Sequence, residues 1–526
     1  MKVQLQRHKG FEWYGDNDCF VKGYLYDERG DYFEKKELFK FFDRTKNSNE
    51  LISQLQDLNG AYSIVFQVDN LTIIACDASR TFPLFYTYQD NELIVSDDVN
   101  YLMKESGNHD FDSLSEIEFL ASNHTHGKKT LVKNIFQIRS SEFLVFESEV
   151  LKRNGFNFQY SKGDSKLSSI KDIKESMPLV FKNSFKRLAK SLKGKTPILP
   201  LSSGYDSRII ASFLKEYGFE NTICYTYGRP NSFEIETSKK VAKKLGFNWY
   251  FIPYTKELVG ESLNDDEFHR YLRYASNYNS MPNLQEYFAV KYLKEQQLIP
   301  KDSVFIPGYA GDILFGSEYR KNFPLRASMS DSILHLKFDN HPLTNHHREE
   351  LKKEILSNLK EYQLSNKTDN FSAFDDYNFK ERIAKYIFNS SSFYTFFGYE
   401  FRFPFWDLEI LRYFSTVSEN LKKSNDIYNE VIFPEFFEKF NINFEKQLES
   451  PSKKSSLSRV KSAVRPLVLK SIKEKKLNER DWNNYELVTE GMLKQLKEKN
   501  LQVKRLYKDY NEIVTQWYLY KLKGLL

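Results

Sequence analysis

TPILPL (196–201), SSGYDS (202–207) and RIIASFLKEY (208–217) follow one another without a break: a short apolar strand, a loop of small polar residues, and a helical repeat. The apolar positions of that repeat are Ile209, Ile210, Phe213, Leu214 and Tyr217, and Gly218 marks its end at the C′ position. The alternation continues with TICYTYG (222–228) as a strand, SFEIETSKKVAKKLG (232–246) as a helix and NWYFIPY (248–254) as a strand. Strand–helix–strand–helix–strand predicts a parallel sheet with right-handed crossovers. Beyond it, NLQEYFAVKYLKEQQ (283–297) and the region after 345 read as mostly helical.

The loop between strand and helix is the strongest chemical signal. Leu201, Ser202, Ser203, Gly204, Tyr205, Asp206 and Ser207 put small side chains, hydroxyls and free amides at a helix N-terminus, which favours an anion. Asp206 does not belong in a phosphate site on its own account, because a carboxylate repels phosphate. A magnesium ion between them removes the conflict, since it takes carboxylate and phosphate oxygens together. Taken alone, the heptapeptide reads equally well as an ordinary capped helix start.

Upstream, GAYSIVFQVDN (60–70), LTIIACDASR (71–80), PLFYTYQDN (83–91) and ELIVSDD (92–98) alternate in the manner of an antiparallel meander, and 130–154 continues the β pattern. SKGDSKLSSIKD (161–172) is polar and reads as a linker or helix cap. The chain has 526 residues, with 77 Lys and Arg against 71 Asp and Glu, a mild +6 that does not call for nucleic acid. Mean hydropathy is −0.59 and no apolar run approaches a membrane span, so no membrane insertion is expected. The first residues lack a signal-peptide core, giving a cytoplasmic expectation. Cys19, Cys76 and Cys224 lie far apart, which predicts neither a disulfide framework nor a zinc site. The 45 Phe and 34 Tyr read first as bulky core residues.

The loop resembles the Ser-Gly-Gly-x-Asp-Ser pyrophosphatase loop of the asparagine synthetase family. A second family motif, Gly-Glu-Gly-Ala-Asp-Glu-Leu-Phe-Gly-Gly, is similar to Gly308-Tyr309-Ala310-Gly311-Asp312-Ile313-Leu314-Phe315-Gly316-Ser317. A third, Glu-x-Arg-x-Pro-Phe-Leu-Asp, is similar to Glu400–Asp407. Gly60-Ala61-Tyr62-Ser63, Asp77, Pro83–Tyr86 and Val95-Ser96 resemble the family's N-terminal glutaminase domain. The resemblance implies an α/β chain: an N-terminal-nucleophile (Ntn) β-rich sandwich over 1–155, a linker over 156–175, a parallel-sheet PP-loop synthetase domain of the adenine nucleotide alpha hydrolase type over 176–450, and a basic helical extension over 451–526.

By the same resemblance ATP and Mg2+ are the cofactors. Leu201–Ser207 and Gly308 contact the nucleotide, and Asp206 and Asp312 hold the metal; as an alternative the two carboxylates merely cap helices. Departures from the family pattern shape the rest. Position 2 is Lys2, where the glutaminase uses Cys, so no glutamine hydrolysis is expected. Tyr309 takes the place of a family Glu, as in β-lactam-forming relatives, and would need a partner, for which Glu381 is the candidate; the plain alternative is one more packed aromatic. Asn429 falls where the family has a transition-state lysine, leaving Lys422, Lys423 or Arg320 to supply the charge. Ser203 replaces a Gly and is tolerable if its φ is not positive. Arg208 is either a phosphate or substrate contact or a solvated helix-face residue.

The basic stretch 453–480 is either a solvated surface or a guide for an anionic substrate. These features imply a carbon–nitrogen ligase that takes a small-molecule or sugar-linked carboxylate and ammonia or an amine, with a second copy of the chain as one further partner. Resemblance to members associated with bacterial surface polysaccharides favours a sugar acid. An intramolecular amide-forming cyclase and a binding or scaffold protein are the alternatives.

Overall fold

The computed structural model describes residues 1–45, 47–160, 167–317, 328–360, 367–444, 481–501 and 510–526. Two sheets face each other in the N-terminal region. The smaller runs Lys2–Gln4, Glu92–Ser96, Phe85–Gln89, Phe136–Gln137. The larger runs Val150–Phe156, Glu142–Glu147, Leu71–Cys76, Asn59–Val68, Cys19–Tyr26, Trp13–Gly15, with Tyr32–Glu34 also pairing with Cys19–Tyr26. Val65, Ile74 and Leu144 of the larger sheet meet Tyr86, Leu93 and Val95 of the smaller in one core. On the outer face of the larger sheet, Leu38, Phe42 and Leu51 of the helices Lys35–Asp43 and Ser48–Leu55 form a second.

The expected single meander over 60–98 is corrected: its two hairpins belong to different sheets. The chain crosses between them at a corner held by the buried Asp77, whose carboxylate accepts from the amides of Tyr62, Ser79 and Thr81. Alternation identifies a strand but carries no information about which sheet it joins. The β-rich expectation for 1–155 also passed over four short helices. Three of them are capped by Asn47, Asp98 and Asp112.

The second sheet system is parallel throughout, in the order Asn248–Pro253, Ile223–Gly228, Thr196–Pro200, Ser303–Phe305, Glu400–Phe401. The chain builds outward from Thr196–Pro200 in one direction, then returns to add Ser303–Phe305 on its other side. The strand order therefore reverses between these two strands, and crevices at such reversals are where open α/β sheets place ligands. The helix after Thr196–Pro200 spans Tyr205–Glu216 and ends with Gly218 at φ 79, as its sequence predicts.

The long helix Ile170–Ser191 begins well inside the segment expected as linker, capped by Ser169, and carries Pro178 within it. Its buried face, Ile173, Met177, Phe181 and Phe185, holds it on the sheet despite the lost backbone donor. The aromatic excess is used here as packing: Phe185 stacks on Phe213 with centroids 4.0 Å apart, and Phe181 meets Phe315, Phe405, Phe414 and Phe436.

The third motif forms the seam between the two regions. Arg402, 1% exposed, donates to Glu400 at 2.9 Å and to the Tyr32 hydroxyl, and lies over the Tyr24 ring at 4.3 Å. Lys195 reaches both Glu400 and Glu34. Burial opposes the charged form of Glu400, but Arg402 and Lys195 outweigh it and hold the carboxyl at about 2.

The stability this carboxylate contributes is present above the ordinary glutamate range near 4.3 and is lost as pH falls toward about 2. Glu400→Gln should therefore lower unfolding free energy by about 3 kcal/mol at pH 7, because the buried Arg402 loses its nearer carboxylate and keeps only Glu34 at 3.6 Å. The deficit relative to wild type should shrink at pH 3 in denaturant unfolding; a deficit independent of pH would contradict this account.

Candidate functional site

The loops after Thr196–Pro200 and Ser303–Phe305 leave the same edge of the sheet from adjacent strands and pack on each other. A Cβ on Gly311 would stand 2.8 Å from Cγ of Asp206, and one on Gly308 would stand 3.2 Å from the Asp206 Cβ. The first loop thus presses its carboxylate into a cradle made by two glycines of the second. Asp312, in the first turn after the cradle, is exposed beside it. Ala310 occupies the left-handed region at φ 58, where the similar family motif has Gly. A side chain there costs about 1 kcal/mol of strain, held in place by the surrounding loop.

Within the first loop, the Ser202 hydroxyl accepts from the Gly204 amide at 3.0 Å and lies 3.3 Å from Ser207 Oγ, whose oxygen also receives the Ser202 amide. Leu201 is buried and tied to Ile223–Gly228 through Tyr225 O and Thr226 Oγ1. Gly204, at the helix N-cap, offers no side-chain cap, so the first-turn amides of Tyr205–Glu216 face the loop uncapped by a side chain. Ser203 is fully buried, its hydroxyl has no partner among the described residues, and its φ lies outside the positive region, which satisfies the condition set for Ser at this position. Tyr205 packs on Tyr428 and Phe433.

Tyr309 has a carboxylate beside it, but not the expected one. Its hydroxyl is 3.3 Å from Glu286 Oε2 and 3.5 Å from the Tyr394 hydroxyl. Glu286, 4% exposed, also accepts from Tyr394 at 2.7 Å and from Tyr225. Burial raises the Glu286 carboxyl, the three tyrosine donors pull it back, and it settles at about 7. Burial and the Glu286 charge push the Tyr309 hydroxyl well above its ordinary value, so Tyr309 is a proton donor at neutral pH. The group able to hold or release a proton near neutrality is Glu286.

Glu381 is corrected as the partner of Tyr309. Its Oε2 is bound by Lys385 at 2.6 Å and by the Gly127 amide at 3.1 Å, and His126 Nδ1 lies 3.7 Å away. His124, His126 and Glu381 lie within ligand reach of one another; Lys385 supplies a positive charge to this buried cluster, and burial keeps both imidazoles neutral. The cluster ties the N-terminal region to the Phe379–Ile387 segment.

Lys422 is corrected in the same way. Its main chain lies against Gly316 of the second loop, while its buried ammonium donates to the Tyr160 hydroxyl at 2.8 Å and stands 3.9 Å from Asp375. Lys423 lies over the Phe371 ring and Asn429 is exposed. Arg320 and the stretch 453–480 lie outside the described residues. Arg208 is neither a phosphate contact nor solvated. It is fully buried, donating to the carbonyls of Ser203, Ile442 and Phe444, and so pins the loop to a later segment.

The thiols are also placed. Cys19, Cys76 and Cys224 are buried, and burial pushes Cys19 up to about 12 and raises the other two, so all three are protonated at neutral pH.

Nothing in the sequence around Glu286 marks it. An acid before the apolar helix Tyr287–Glu295 reads as ordinary charge at a helix start. The two-glycine cradle gives a pair of opposed expectations that denaturant unfolding can check. Ala310→Gly should raise stability by about 1 kcal/mol by relieving the positive φ. Gly311→Ala should lower it by about 1–3 kcal/mol by driving a methyl into Asp206.

A family model described as asparagine synthase matches residues 198–512. A 7-cyano-7-deazaguanine synthase from Sulfurihydrogenibium sp. is 36% identical over 80 residues, which cover 14% of this chain and 36% of that protein; the chain thus spans about a third of the length of this relative. Among solved structures, an NH3-dependent NAD synthetase from Campylobacter jejuni is matched over 39% of this chain and 95% of its own at 14% identity, with a TM-score of 0.23. A U34-tRNA thiolase from Methanococcus maripaludis is matched over 38% and 79% at 17% identity, with a TM-score of 0.19.

Proposed function

The chain belongs to the asparagine synthase family, and from that premise we propose that it uses ATP and magnesium to adenylate a substrate carboxylate, which a nitrogen nucleophile then converts to an amide. The observation that carries this reading is the Asp206 carboxylate seated in the Gly308–Gly311 cradle beside Asp312, at the switch point of a parallel sheet and next to an uncapped helix N-terminus. The donor set fits the implied metal: two carboxylates from adjacent loops, facing hydroxyls and amides suited to phosphate oxygens. Magnesium held by Asp206 and Asp312 would neutralise the charge of departing pyrophosphate.

In the first step a substrate carboxylate oxygen attacks the α-phosphorus of ATP and the bond to pyrophosphate breaks. The Tyr205–Glu216 amides and the Ser202 and Ser207 hydroxyls are placed to orient the phosphates. In the second step nitrogen attacks the acyl carbon and AMP leaves. Tyr309 accepts a proton from the nitrogen as it passes its own to Glu286, whose near-neutral pKa suits it to receive one.

The protonated state of all three thiols, with Lys2 at the second position, supports a ligase that takes free ammonia or an amine rather than hydrolysing glutamine itself. A sugar acid of a surface polysaccharide is the favoured acceptor on the resemblance of its motifs. The Tyr309–Glu286 pair gives an intramolecular cyclase a specific observation of its own, because a tyrosine–glutamate pair serves that cyclisation in the β-lactam-forming relatives.

Exchange of labelled pyrophosphate into ATP, run with aspartate, uronic acids and nucleotide-linked uronic acids, tests adenylation directly. One acid should support magnesium-dependent exchange, and Asp206→Ala should reduce it by at least about a hundredfold, the loss expected when a preorganised charge partner is removed. No exchange with any acid while ATP still binds would favour a binding protein over a ligase.

The second step has its own signature. Glu286→Gln should leave pyrophosphate exchange intact, lower amide formation, and remove a limb in the rate profile that rises through about pH 7. The sign follows from the carboxyl being protonated, and unable to accept, below that value.

A further inference from the structure

A small cleft, with about 40 Å³ of solvent-accessible space, lies between the two regions, and none of the loop residues described above lines it. One wall comes from the N-terminal region, with Arg7, Lys22, Arg80 and Asp97. The other comes from the second region, with Tyr274, Asn389, Ser391 and Thr395. Its charge is unbalanced. Lys22 is 4% exposed and Arg80 is 2% exposed, and among the described residues neither has a carboxylate oxygen within 4.0 Å; the same holds for Arg7.

Among the described residues Lys22 donates only to the carbonyl of Arg7. Arg80 uses Nε and one terminal nitrogen on Ile138 O and Gln137 Oε1, and among the same residues its buried Nη1 has no partner, nor has Arg7 Nε. The one acid in the lining, Asp97, is already committed to the amides of Gln6 and Arg7 and to Trp13 Nε1.

Buried cations elsewhere in the seam are matched: Lys385 by Glu381, Lys380 by Asp376, Arg402 by Glu400. Buried charge without a counter-charge is costly, and two such groups aimed at one cavity with spare donors describe a site whose counter-charge arrives from outside. We propose that this interdomain cleft binds a small oxyanion, the carboxylate or phosphate group of a low-molecular-weight ligand, through Lys22, Arg7 and Arg80. Phe82, Tyr274 and Phe401 line the remainder, with Lys22 over the Phe82 ring and Arg7 over the Tyr274 ring, so the space suits a group no larger than a small oxyanion. The opposite wall includes Ser392 and Thr395 of Ser392–Phe396, the helix that carries Tyr394 to Glu286, so an anion here joins the N-terminal region to an element of the other site.

Thermal unfolding of the full chain, titrated with inorganic phosphate or with acetate at ionic strength held constant with chloride, tests this. Wild type should show a saturable rise in Tm. Lys22→Met should unfold at a temperature equal to or above wild type in chloride alone, since an apolar chain replaces an unpaired buried cation, and should bind the anion at least tenfold more weakly. Arg7→Met gives the same reading if Lys22→Met does not fold. A response to phosphate alone assigns a phosphate group, and a response to both anions assigns a carboxylate-sized oxyanion.

The proposal is overturned if neither anion shifts wild type, or if wild type and variant shift equally, the result expected of phosphate held at the 202–207 loop instead. Because Lys22 and Arg7 lie outside the nucleotide loops, pyrophosphate exchange should survive both substitutions, which separates this inference from the ligase reading.

Discussion

Everything in the nucleotide half of this molecule depends on one parallel pairing. Thr196 to Ile198 lies in register with Ser303 to Phe305, two segments about a hundred residues apart in the chain. That pairing puts the ends of two strands side by side, so the loops that follow have no room except against each other. The glycines at 308 and 311 are the steric consequence. They leave the space that the Asp206 side chain fills, and a methyl at either position would press on it. The strain accepted at Ala310 has the same source, because the second loop must turn sharply to bring Asp312 alongside.

A second theme is how carboxylates are tuned by what surrounds them. Glu400 and Glu286 are both largely buried, yet they move in opposite directions. Glu400 meets two cations and stays ionised down to about pH 2. Glu286 meets only tyrosine hydroxyls, which donate hydrogen bonds but bring no charge, so desolvation wins and the carboxyl titrates near 7. The first ties two parts of the chain together, and the second is left able to take up or release a proton near neutrality. The same contrast separates the cations. Lys385 and Arg402 are neutralised inside the seam, whereas Lys22 and Arg80 face a cavity and make no ion pair among the described residues.

Much of the family pattern is retained for structural ends. The third motif contributes the Arg402–Glu400 seam, and Arg208 holds a loop by its carbonyls. Lys422 touches the second loop through its main chain while its ammonium serves Tyr160. Charged residues near a motif are thus distributed between chemistry and packing by which way the side chain can turn, a property of the assembled fold.

The sequence by itself determined the parallel α/β order, the strand–loop–helix start at 196–217, the β-rich N-terminal region and the glycine-bearing second loop. Each is written in local periodicity, in turn residues or in motifs whose spacing is short. Tyr309, Asp206 and Asp312 stand out as candidates for the same reason. Only the tertiary structure decided that the 60–98 strands divide between two sheets, that Glu286 rather than Glu381 stands against Tyr309, and that three cations share one cleft. Those outcomes depend on contacts between residues far apart in the chain: Glu286 joins Tyr225, Tyr309 and Tyr394 from three separate stretches, and Lys22 and Arg80, 58 residues apart, line one cleft. Local pattern fixes which face of an element is apolar, but a pairing across such separations is set by the packing of the whole chain, where burial then assigns each carboxylate and each cation its state.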